Sequence, residues 1–93
     1  MTTDENLKEA FAGESQANRM YLAFAKKAED ERFSNVAKLF RAAAEAETVH
    51  ALNHFRTLGN VKTTKENLKT AIEGETEEFE DMYPEMIKQA QEE

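Results

Sequence analysis

A short run near the start of the chain, Glu5-Asn6-Leu7-Lys8, returns as Glu66-Asn67-Leu68-Lys69, while Ala10 and Gly13-Glu14 return as Ala71 and Gly74-Glu75, all at one offset of 61 residues. A fixed offset means that one structural unit is used twice. The unit is helical. Thr2 and Glu5, and again Thr63 and Glu66, have capping-box spacing, in which a hydroxyl accepts a hydrogen bond from an otherwise unpaired N–H of the first turn. Periodicity predicts helices over about 3–29, 33–58 and 63–92, with Gly59-Asn60 as the left-handed stop of the second and Pro84 as a kink in the third. If the third helix copies the first, a fourth matching the second is implied, and its counterpart of Glu47-x-x-His50 falls roughly 15 residues past Glu93. The expectation is an all-α fold, one domain over residues 1–93, in which the chain supplies three helices of a four-helix bundle. It would be a truncated product, a fragment, or one part of an assembly completed by a partner chain.

The apolar stripes of these helices contain acids. In the first, Leu7, Phe11, Tyr21, Ala25 and Ala28 lie at steps of three and four, with Glu14 and Asn18 in the gaps. In the second, Val36, Phe40 and Ala43 lead on the same stripe to Glu47, His50 and His54. The third turns Leu68, Ala71, Ile72, Glu75, Phe79, Met82 and Met86 inward. A carboxylate taken out of water costs several kcal/mol (roughly) unless a cation neutralises it. Glu47 and His50, one turn apart, can reach the same metal, and the chain's basic residues, such as Lys26, Lys27, Lys38 and Arg41, fall largely on other faces. Glu14, Glu47, His50, Glu75 and Glu78 are thus candidate ligands; Glu78 belongs to an acidic run with Glu77 and Glu80 that could equally be a solvated face.

Composition narrows the chemistry. With no cysteine, disulfides, thiolates and iron–sulfur clusters are excluded. A net charge of −7 argues against nucleic acid and anionic membrane as partners. No apolar run approaches the roughly 20 residues of a membrane span, and the acidic start is unlike a signal peptide. A cytoplasmic location is expected.

Three segments, Phe11-Ala12-Gly13-Glu14-Ser15-Gln16-Ala17, Ala46-Glu47-Thr48-Val49-His50-Ala51, and Glu73-Gly74-Glu75 followed by Glu78 and Met82-Tyr83-Pro84-Glu85, resemble the ferritin-like domain of the rubrerythrins in order and spacing. The resemblance implies a ferritin-like four-helix bundle and a carboxylate-bridged di-iron cofactor. Glu14, Glu47 and His50 would be ligands from one half of the site, and Glu75 and Glu78 from the other. Tyr21 and Tyr83 would hydrogen-bond and orient those carboxylates. It further implies reduction of hydrogen peroxide, with His50 and Glu78 exchanging at one iron. With no rubredoxin-like cysteines in this sequence, a rubredoxin-type electron donor would have to be a separate partner. Two alternatives stay open: a protein that oxidises or binds iron, and a helical fragment with an incomplete site. His54 belongs to no matched motif and is read as structural or partly exposed.

The link from Leu58 to Thr63 reaches at most about 20 Å, whereas the second helix is roughly 37 Å long. It cannot make the long crossover that ferritin-like bundles place between their second and third helices. The third helix must run back antiparallel or join another bundle, and a domain-swapped homodimer is the expectation. In one variant, two copies of Glu14, Glu47 and His50 make the whole ligand set.

Overall fold

In the computed structural model, which describes residues 1–93, the helix ends follow the capping chemistry. Helix α1 spans Thr3–Asp30, and Thr2 Oγ1 accepts a hydrogen bond from the Glu5 N–H at 3.1 Å. It stops where Arg32 takes φ +68°; the Arg32 N–H then reaches Glu29 O and the Phe33 N–H reaches Ala28 O, at 3.0 and 2.8 Å. That pair of bonds satisfies carbonyls that the helix leaves open. Helix α2 spans Ser34–Thr57 and ends in the same way at Gly59, whose φ is +76°, with N–H bonds from Gly59 to Arg56 O and from Asn60 to Phe55 O. Glycine meets this left-handed geometry without a Cβ clash; Arg32 meets it at a cost.

Residues Met1–Asn60 form one compact unit, an antiparallel hairpin of α1 and α2. Its cross-helix pairs run in opposite directions along the two helices. Phe11 meets Phe55 with ring centroids 4.8 Å apart, Asn18 meets Ala44 and Thr48, and Tyr21 stacks on Phe40 at 6.1 Å. The residues buried between the helices are all alanines: Ala25 and Ala28 of α1, and Ala37, Ala44 and Ala51 of α2. The alanines of α2 repeat every seven residues, which keeps one line of a helix against its neighbour. This line lies one residue round from the stripe expected on α2. Val36 keeps 43% of its surface, and Phe40 and Ala43 are half-buried, flanking the seam.

Residues Val61–Glu93 form a second compact unit. Helix α3 spans Thr64–Glu77, with Thr63 Oγ1 accepting from the Glu66 N–H at 3.2 Å. Asn67 closes the approach by bonding both the N–H and the carbonyl of Lys62. The expected single helix over about 63–92 is interrupted: Glu78–Met82 form a π-helical turn, and α4 resumes over Tyr83–Glu92. The Tyr83 N–H bonds Glu78 O, five residues back. Pro84 has no N–H for the carbonyl four residues earlier and its ring would crowd that group, so the wider turn lets the chain continue. Nothing in this unit is buried, and Ile72 and Phe79 are 64% and 80% exposed. The whole chain is helical, without a strand, and no helix is long and apolar enough to cross a membrane.

Candidate metal centre

Two inter-helix devices bring the acidic residues of the hairpin together. The alanine seam sets the distance between the helices, and Asn18 sets their register. Its amide nitrogen donates to Ala44 O and to Thr48 Oγ1, both at 2.7 Å, while the Thr48 hydroxyl donates to Ala44 O at 3.1 Å. Asn18 stands one turn after Glu14, and Thr48 follows Glu47. The same bonds therefore hold the two carboxylates opposite each other.

One donor atom from each of Glu14, Glu47 and His50 lies within 4.8 Å of the others. Glu14 and Glu47 are half-buried and His50 is 54% exposed, so the cluster opens on one side. His50 Nδ1 is 3.8 Å from Glu14 Oε1. No lysine or arginine pairs with either carboxylate; Lys26 bonds Asp30, and Arg41 bonds Glu29. Two carboxylates held this close repel each other when both are ionised. Glu14 Oε2 is moreover buried and accepts no hydrogen bond. Buried acceptors are seldom left this way. A cation between the two carboxylates would relieve the repulsion, and the donor set of two carboxylates and an imidazole suits iron. The residues present therefore fit a metal ion.

The sequence-predicted ligands fall into two groups. Glu14, Glu47 and His50 are brought together. Glu75 and Glu78 stand three residues apart in the second unit, Glu75 exposed in α3 and Glu78 half-buried where the π-helical turn begins. The acid picked out by the apolar period is thus the wetter of the two, and the one drawn from an acidic run is the drier. Tyr21 packs its ring against Phe24 and Phe40, and Tyr83 opens α4 half-exposed. Neither hydroxyl makes a hydrogen bond to a candidate ligand.

His54, read from the sequence as structural or partly exposed, is partly exposed at 29% but not idle. Its Nε2 lies 2.8 Å from Glu14 Oε2. Sequence reasoning set it aside because no matched motif uses it. The usable signal was that position 54 continues the stripe of Glu47 and His50 by one more turn.

The sequence pattern of the rubrerythrin family matches residues 5–93. Among similar proteins, a rubrerythrin of Porphyromonas gingivalis is 38% identical over 104 residues, covering 98% of this chain and 52% of the relative. A nigerythrin of Nitratidesulfovibrio vulgaris is 37% identical over 106 residues, covering 99% and 52%. A putative rubrerythrin of Methanocaldococcus jannaschii is 32% identical over 113 residues, covering 98% and 55%. The chain spans about half the length of the curated relatives it matches.

Proposed function

The chain belongs to the rubrerythrin family, an iron-binding, ferritin-like family, and from that premise we propose that it forms one part of a cytoplasmic di-iron centre that reduces hydrogen peroxide with electrons from a rubredoxin-type donor. The observation that carries the proposal is the convergence of Glu14, Glu47 and His50 with no lysine or arginine paired to either carboxylate. Glu14, Glu47 and His50 would be ligands from one half of this centre, and Glu75 and Glu78 from the other. Two irons, when bound, supply one electron each at a single place. Peroxide needs two electrons and two protons as its O–O bond breaks and two waters leave, and the donor protein restores the electrons.

The residues of this chain contribute position and charge. Glu14 and Glu47 offset the positive charge of the metals, Asn18 and Thr48 keep the two carboxylates in register, and the exposed side of His50 gives a small oxidant a way in. We propose further that Glu75 and Glu78 are supplied by a partner subunit in a domain-swapped homodimer. The short Leu58–Thr63 link supports this, as do the exposed apolar residues Leu68, Ile72 and Phe79, which need a cover.

The test is peroxide consumption by the iron-loaded protein with rubredoxin and its reductase. Two electrons drawn per peroxide, lost in Glu47→Ala, are expected. Consumption no faster than that of free iron under the same conditions would refute the proposal, and accumulation of many irons per chain would favour iron storage instead.

A further inference from the structure

The Glu14 carboxylate is divided between two imidazoles. Oε1 is 3.8 Å from His50 Nδ1 and belongs to the cluster that a metal would fill, whereas Oε2 is 2.8 Å from His54 Nε2, is buried, and accepts no hydrogen bond. At 2.8 Å an N–H that fails to bond an oxygen is misdirected and not too far away. The terminal torsions of Glu and His are broad, so a modest rotation of either group aligns the N–H with Oε2 without moving the helices. No other side chain donates to that oxygen.

From this arrangement we propose that His54 is a positioning residue: its Nε2–H donates to Glu14 Oε2 and leaves only Oε1 for the metal, so that Glu14 binds through one oxygen. The inference rests on the metal-site reading above. His54 acts through Glu14 and is not itself a ligand, because it lies outside the group whose donors are within 4.8 Å of one another. His54 follows His50 by one turn of α2, so a single helix presents both a ligand and the group that orients a ligand from the opposite helix. Outer partners of this kind hold a carboxylate in one binding mode, and their loss weakens metal affinity by about 10–100-fold.

The experiment is a Co(II) titration of the full chain, read by its visible bands, for the wild type, His54→Leu and His54→Gln. Circular dichroism of each apo-protein checks that the helices form. The Leu variant should bind Co(II) about 10–100-fold more weakly and with altered, weaker bands, as Glu14 becomes free to chelate through both oxygens. The Gln variant, whose amide can donate to Oε2, should recover both affinity and spectrum. Wild-type affinity and an unchanged spectrum in His54→Leu would overturn the inference alone. So would a loss in His54→Gln as large as in His54→Leu, since that would make His54 a direct ligand. A wild type that binds no Co(II) would overturn the metal-site reading, and this inference with it.

Discussion

Asn18→Ala isolates the polar device that sets the register of the hairpin. The substitution removes two hydrogen bonds of 2.7 Å, to Ala44 O and Thr48 Oγ1. An ordinary hydrogen bond contributes about 0.5–1.5 kcal/mol net, and more is lost when its partner is left buried and unpaired. Here neither partner is left so. The Thr48 hydroxyl keeps its bond to Ala44 O and is partly in water. The loss therefore falls at the lower end, about 1–2 kcal/mol for the pair. Alanine's better helix propensity returns about 0.6 kcal/mol, leaving a net cost near 1 kcal/mol. For a domain of this size that lowers the Tm by about 4–8 °C. Thermal unfolding of the metal-free protein followed by circular dichroism measures it, with Asn53→Ala, at an exposed position of α2 without a side-chain hydrogen bond, as control. Equal melting temperatures for Asn18→Ala and the wild type would refute the view that Asn18 sets the register.

Glu14→Leu should abolish the rise in Tm that Co(II) gives the wild type, since it removes a carboxylate of the metal cluster. Thermal melts with and without the metal read the effect. Ala44→Leu puts three extra carbons where the helices touch and should cost about 1–3 kcal/mol in urea unfolding. Gly59→Ala, at φ +76°, should cost about 1 kcal/mol, and Arg32→Gly, at φ +68°, should gain a similar amount. The two denaturation midpoints should therefore move in opposite directions.

Helix ends were the most legible features of the sequence because capping is local chemistry. Thr2, Thr63 and Gly59 each sit where the caps form, and the spacing of Glu47 and His50 survives folding because both ride on one helix. The end of α1 was legible to within a residue, but the left-handed turn at Arg32 was not, since the residue type gives no sign of it. The seam of the hairpin was misplaced by one residue. Periodicity weights large apolar side chains, whereas the residues of α2 buried between the helices are small ones, Ala37, Ala44 and Ala51. The π-helical turn at Glu78–Met82 was foreshadowed only as a kink at Pro84. At the candidate site, periodicity brought Glu14, Glu47 and His50 into view. It could not show that His54 faces one particular oxygen of Glu14, which depends on the rotation of α2 about its axis.

Anomalous scattering at the iron absorption edge, from crystals of the protein loaded with Fe(II) without oxygen, asks most directly whether the acids of the hairpin face one another across a metal. The account predicts a peak within bonding distance of carboxylate oxygens of Glu14 and Glu47 and of a ring nitrogen of His50. Iron bound only at other acidic residues, with Glu14 and Glu47 free of metal, would contradict it.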